Sequence, residues 1–348
     1  MPCRHGRQWN PSLVHSPTSA ITEYMDDDTI RRQESSATNW SLDQILAGLR
    51  TSRELTHNIR HQGRIHKLPS RKALLGIVEG LCAALFPTHY GRADLDVTNI
   101  DEFVEQTLNQ TLTLLQDQLR RGLVFAFNAV GHNDHSLTDR ASKITSEFAG
   151  QLPTIRGLLV TDLQAAYQGD PAATSTSEIL LCYPGMTAII YHRIAHALHG
   201  LDAPLIARLI SDIAHSSTGI DIHPAANIGS HFFIDHGTGV VIGETSIIGK
   251  RVRLYQAVTL GAKRFAGDEH GVLIKGEPRH PIVEDDVVIY AGATILGRIT
   301  IGQGSVIGGN VWLTQSVPAG SHVVQAHIRT SATIESKPIK AQHTDRKT

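Results

Sequence analysis

Asp221 and the pair Asp235-His236 stand close along the chain, in a stretch otherwise built of apolar and small residues. A carboxylate that accepts a hydrogen bond from one imidazole nitrogen fixes the tautomer and leaves the other nitrogen as a base. Such a pair suits removal of a proton from an alcohol as it attacks a thioester. The same residue types also make plain corner contacts, and spacing alone leaves both readings open. A second candidate, His192-Arg-Ile-Ala-His196, puts two histidines at i and i+4 on a helix, a zinc-like spacing. The metalloprotease pattern needs Glu in the second place, where Arg193 stands, so this pair reads as structural. The three cysteines, Cys3, Cys82 and Cys182, match neither a disulfide framework nor a zinc knuckle, which fits a reducing cytoplasm.

The element that must carry Asp221 and His236 shows in a six-residue apolar period. Ile222, Ile228 and Ile234 keep step, two extra residues follow, and Ile242, Ile248, Leu254 and Leu260 resume. After a break, Val283, Ile289, Ile295, Ile301, Ile307 and Leu313 continue in the same phase. Neither a helix nor an alternating strand has this period, and the matches are too many for a β-sandwich with coincidental spacing. Hexapeptide repeats specify a parallel β-helix, in which three hexads make one triangular coil. Asp221 and His236 are slightly less than three hexads apart, so they are expected on neighbouring coils of one face, in contact range. Gly229, Gly243, Gly249, Gly261, Gly302 and Gly308 are expected at corners that need tight or positive-φ backbone. The break between Leu260 and Val283 is far longer than one hexad, so the segment 263–280 must leave the coil as a loop. Long loops on rigid scaffolds are commonly functional.

Residues 1–40 are polar and aperiodic and read as a disordered tail, with neither a signal-peptide core nor a transit pattern. Residues 41–216 read as an α-helical domain that opens on a capping box, Ser41 to Gln44. One apolar stripe runs through Leu108, Leu112, Leu115 and Leu119. Another runs through Met186, Ile190, Ile194 and Leu198, started by Pro184 and stopped by Gly200. Residues 217–323 form the coil and 324–348 a frayed tail. A net charge of −1 gives no basis for binding nucleic acid or an anionic membrane. No apolar run approaches the ~18 residues of a membrane span.

Asp221-Ile-His-Pro-Ala-Ala, Asp235-His236-Gly-Thr-Gly239, Gly243-Glu-Thr245, Val258-Thr-Leu-Gly261 and Arg279-His280-Pro281 together closely resemble the serine O-acetyltransferase family. Gly169-Asp170-Pro171-Ala172 resembles the Asp-Pro-Ala segment of that family. The resemblance implies an α+β fold, an N-terminal α-helical domain followed by a left-handed parallel β-helix. It implies cytoplasmic transfer of acetyl from acetyl-CoA to the L-serine hydroxyl, giving O-acetyl-L-serine for cysteine synthesis, with no metal and no enzyme-bound acetyl. His236 would be the general base and Asp221 its orienting carboxylate. Asp170 and Asp235 would line the serine pocket, Arg279 would pair with the substrate carboxylate, and His280 would position serine or the acetyl group. Ala291 and Gly309 would line the coenzyme A groove. The family forms homotrimers with sites between subunits, often paired into hexamers.

The chain departs from the family in its long N-terminal extension, in the length and composition of the loop before Arg279, and at three further places. Ala262 replaces a frequent second glycine, Gln325-Ala-His-Ile-Arg329 replaces the usual sequence after the last coil, and Lys347-Thr348 replaces a terminal isoleucine. That isoleucine docks many members into O-acetylserine sulfhydrylase, so this complex is not expected here. Three rival readings remain open. One is a hexapeptide-repeat acyltransferase for another small hydroxylated acceptor, and another is a catalytically dead scaffold. The third is a γ-class carbonic anhydrase, whose histidine spacing His223, His231 and His236 do not give.

Overall fold

The computed structural model describes residues 40–56, 67–126, 134–263 and 276–325. The chain divides into two compact units, Met1–Ile65 and His66–Thr348. In the first unit, α1 (Leu42–Thr51) runs into a π-helical turn, Ser52–Thr56, and its Leu42, Ile45, Leu46 and Leu49 are exposed. The expected capping box is not formed. Ser41 is left-handed at φ 48, its side chain makes no cap bond, and its carbonyl accepts from Gln44 and Ile45 instead. A backbone in that region turns the hydroxyl away from the N–H groups it would satisfy.

The second unit begins with α2 (Arg71–Leu85), α3 (Pro87–Tyr90), α4 (Ile100–Ala126), α5 (Asp134–Gly169), α6 (Thr176–Cys182), α7 (Pro184–Gly200) and α8 (Pro204–Thr218). Ser70 caps α2 by accepting from Ala73 N at 3.3 Å. Of the expected α4 stripe, Leu115 and Leu119 are fully buried, while Leu108 and Leu112 pack at its margin. Helix α7 starts at Pro184 as expected and buries Met186, Ile190, Ile194 and Leu198. Helix α8 runs to Thr218, just past the expected boundary, because Gly219 supplies the left-handed C-cap at φ 70.

Between Asp221 and Val323 the described residues form fourteen strands of two or three residues that wind into a coil. They form three parallel columns: β1 (Asp221–Ile222), β4 (Val241–Ile242), β7 (Thr259–Gly261), β10 (Thr294–Leu296) and β13 (Trp312–Leu313); β2 (Asn227–Ile228), β5 (Ile247–Ile248), β8 (Ile282–Val283) and β11 (Thr300–Ile301); and β3 (Phe233–Ile234), β6 (Arg253–Leu254), β9 (Val288–Ile289), β12 (Val306–Ile307) and β14 (His322–Val323). The register stacks Ile242 on Leu260, Leu260 on Ile295, and Ile295 on Leu313, so three apolar periods make one coil. The inward residues from Ile222 to Ile307 are 0–6% exposed. Burying each contributes about 1.5–3 kcal/mol, and the ladders satisfy the backbone. The glycines after the inward residues serve close approach and not positive φ. A Cβ on Gly229 would lie 2.5 Å from Gly249 O, and left-handed φ falls on other corner residues such as His231, Arg251 and Asn310.

Helices and coil of the second unit share one hydrophobic core, and the change from helix to coil falls at Gly219, after the end of α8. A buried ion pair joins them. Asp162 is 0% exposed and accepts two bonds from Arg193, each at 3.1 Å, and one from Phe232 N at 2.9 Å. Arg193 also donates to Ile228 O and, at 2.6 Å, to Gly229 O. His196 Nδ1 bonds Pro224 O at 2.8 Å. Strand β2 is the edge of its column, so α7 lends donors to carbonyls that have no further coil to pair with.

Candidate active site

The two extra residues between Ile234 and Ile242 build the corner that carries the histidine. His236, Gly237 and Gly239 all have positive φ, at 58°, 89° and 81°. Asp235 N donates to Leu254 O at 2.8 Å, and Gly239 N to Gly219 O at 2.8 Å. The corner is thus pinned at both ends, and the His236 side chain between them is 71% exposed. An exposed imidazole on a fixed backbone is free to meet a ligand.

Two helix ends complete this corner. Asp170, just past α5, accepts from Ala172 N at 2.8 Å through Oδ1 and from the Tyr183 hydroxyl at 2.6 Å through Oδ2. The Tyr183 bond, then the Ala172 bond, with smaller contributions from His236 and Arg253, hold the Asp170 carboxyl below its usual range. Donating to Asp170 pushes the Tyr183 phenol up to about 12, and the negative charge of Asp235 acts in the same direction. Tyr183 leads into α7, whose Gly185 lies against Ile234, where a Cβ would come within 2.2 Å of the Ile234 carbonyl oxygen. That close approach seats Tyr183 beside the strand that delivers Asp235 and His236.

The structure therefore brings Asp170, from the end of the helical region, to Asp235 and His236 on the coil. It does not join Asp221 to His236 by a hydrogen bond or ion pair; the carboxylate beside His236 is that of Asp235, with Oδ1 at 3.8 Å from Nδ1. The reason is the corner. Register ties Asp221 to Val241, well past His236, and the extra residues carry the imidazole outward. Asp221 still lies next to the corner, since Gly237 packs on Ile220.

Arg279 and His280 gather at a different corner, following β4 where the His236 corner precedes it. His280 is buried, and its Nδ1 lies 3.0 Å from both Thr245 N and Thr245 Oγ1. Thr245 Oγ1 in turn accepts from the backbone of Arg279 at 2.9 Å and of His280 at 3.1 Å. Gly243 makes room for the ring, because a Cβ there would fall 2.0 Å from it. Burial, then the charge of Arg279, lowers the pKa of His280. Arg279 pairs with Glu244. Burial alone would raise the Glu244 carboxyl, but the Arg279 bond and charge, aided by His223 and His280, hold it low. Arg298 Nη1 braces the corner through Thr245 O at 2.6 Å and His280 O at 3.0 Å.

Ala291 and Gly309 stack on successive coils along the same edge as His236. Asn310 N donates to Ala291 O at 2.9 Å, and a Cβ on Gly309 would lie 3.2 Å from that oxygen. Most of the loop 263–280 lies outside the described residues. His223, His231 and His236 fall at three different corners of the coil, against the carbonic anhydrase arrangement. Among the described residues no group of three or more His, Cys, Asp or Glu is placed to hold a metal, and no helix is long and apolar enough to cross a membrane. His192 is buried with neither ring nitrogen bonded, and burial, then the charge of Arg193, pulls its pKa well down. Sequence reasoning missed Tyr183 and the tie of Glu244 to Arg279; both depend on contacts between distant segments.

Residues 96–190 match the family described as Serine acetyltransferase, N-terminal, and residues 280–315 match Bacterial transferase hexapeptide (six repeats). A plasmid serine acetyltransferase of Synechococcus elongatus is 56% identical over 297 residues, covering 84% of this chain and 92% of the relative. A serine acetyltransferase of Bacillus subtilis is 48% identical over 48% of this chain and 73% of its own. Among solved structures, serine acetyltransferase isoform 3 of Entamoeba histolytica, in complex with cysteine, is 36% identical, with a TM-score of 0.62 over 78% of this chain and 87% of that one. Serine acetyltransferase 1 of the same organism, in complex with L-cysteine, is 37% identical, with a TM-score of 0.63 over 75% and 88%. These likenesses agree with a helical region followed by a left-handed parallel β-helix.

Proposed function

The chain belongs to the serine acetyltransferase family, and from that premise we propose that it transfers acetyl from acetyl-CoA to L-serine by direct attack, with His236 as general base. The observation that carries the reading is the meeting of Asp170, Asp235 and the exposed His236 at one corner of the coil. Two carboxylates there, the Asp170 carboxyl lowered first by its Tyr183 bond, suit the ammonium of an amino acid and argue against a sugar.

His236 takes the proton from the serine hydroxyl as its oxygen attacks the thioester carbonyl. The tetrahedral oxyanion then collapses and expels the CoA thiolate, so serine carries the acetyl group and no enzyme ester forms. Asp235 already stands beside the imidazole, and Asp221 is the carboxylate proposed to orient it once the exposed ring turns inward on ligand binding. Catalytic hydrogen bonds often tighten only in the loaded complex. Arg279 would exchange Glu244 for the substrate carboxylate, as its planar fork allows, with His280 held beside it by Thr245. Ala291 and Gly309 would border coenzyme A along the His236 edge.

The two corners lie at opposite ends of β4 within one chain. A cytoplasmic homotrimer, with Arg279 and His280 of one copy facing His236 of the next, would bring them into one site. The test is thiol release from acetyl-CoA against serine, homoserine and a panel of sugars. Serine-dependent release is expected, cut about 10²- to 10⁴-fold in His236→Ala. Equal turnover by that variant removes His236 from its role, and preference for a sugar overturns the reading.

A further inference from the structure

We propose that Tyr183 is a positioning residue for the amino-acid acceptor, holding the Asp170 carboxylate aimed at the substrate ammonium; this rests on the acetyltransferase reading above. The placement is built from three directions. The Asp170 carboxylate is bound at both oxygens, Oδ1 by Ala172 N at 2.8 Å and Oδ2 by the Tyr183 hydroxyl at 2.6 Å. Each oxygen keeps capacity for one more donor, which an ammonium supplies. Tyr183 is in turn fixed by the start of α7. Pro184 sets the backbone at the first helical position, and Gly185 rests on Ile234, the residue before Asp235. One tyrosine thereby links the end of α5 to the histidine corner.

The electrostatics agree with the geometry. The Tyr183 bond and then the Ala172 bond lower the Asp170 carboxyl against the effect of burial, and the charges of His236 and Arg253 add to them. Tyr183 is the largest of the influences that keep the carboxylate charged. A phenol that served only to cap α7 would have no need of a carboxylate shared with the substrate site. Tyr183 does not cap α7 through its side chain at all.

The experiment compares steady-state kinetics of the full chain, Tyr183→Phe, Asp170→Asn and the double variant, with serine binding followed by calorimetry. Phe keeps the ring, so the fold should be retained, and an unchanged KM for acetyl-CoA checks this. The expected result is a KM for serine raised about tenfold in Tyr183→Phe, as loss of one charge-assisted hydrogen bond typically produces, with kcat nearly unchanged. In the Asp170→Asn background the same substitution should have almost no further effect, because both act through one carboxylate. A purely structural role would lower kcat or alter acetyl-CoA binding and would act additively with Asp170→Asn. That outcome, or an unchanged serine KM, overturns the positioning role while leaving the acetyltransferase reading in place. If the unaltered chain neither binds nor acetylates serine, the functional reading itself falls, and the role of Tyr183 with it.

Discussion

Replacing Arg193 by Met should loosen the first coil, and the cost follows from what the guanidinium does. Arg193 pairs with Asp162, which is 0% exposed, and caps two carbonyls at the edge strand β2. Met retains much of the packing volume, so the loss is chiefly electrostatic. Removing one partner of a buried pair costs about 3–5 kcal/mol, because the other charge stays buried without compensation. Each carbonyl left without a donor adds a cost of about 1 kcal/mol or more. A loss of at least about 5 kcal/mol is expected, a large part of the roughly 5–15 kcal/mol that stabilises an ordinary domain. The assay is urea unfolding followed by circular dichroism and by fluorescence of Trp312, which lies on β13. A second variant isolates the mechanism. Asp162→Asn added to Arg193→Met removes the buried charge but keeps an acceptor for Phe232 N, so it should recover about half of the loss. A cost under about 1 kcal/mol for Arg193→Met, or a further loss in the double variant, would refute the argument.

Stability should also fall on mild acidification. Burial is the first cause lowering the pKa of His192, His199, His223 and His280, and His223 drops from 6.5 to about 4. A histidine whose folded pKa lies below its unfolded value binds fewer protons when folded, so stability is complete above 6.5 and declines toward 4. The urea midpoint should drop between about pH 7.5 and pH 5, less steeply in His223→Gln; a flat profile contradicts these assignments. Arg279→Lys should raise the KM for serine and leave that for acetyl-CoA unchanged, because a point charge replaces a two-pronged donor. Unchanged serine affinity would reject Arg279 as the carboxylate partner.

The hexad period determined the coil, its columns and even the departure point of the inserted loop. Outside the two insertions each inward residue stacks on its equivalent three hexads along the chain, as Ile242 does on Leu260, so the regularity of the sequence is itself the regularity of the core. The two extra residues between Ile234 and Ile242 were visible in the sequence, but not the way the corner they build would aim His236. Local rules failed where backbone geometry had more than one solution. Ser41 took a left-handed conformation and left its capping box unformed, while of the two uses expected for the glycines after inward residues only close approach is found. Only the tertiary structure decided that Tyr183 bonds Asp170, that Arg193 closes the edge of β2, that Arg279 answers Glu244, and that Asp235 and not Asp221 stands beside the imidazole. Those partners are far apart along the chain, or are adjacent but turned by a corner. Their meeting depends on how helices dock on the first coil and how a bulged backbone aims its side chains, and neither has a period to read.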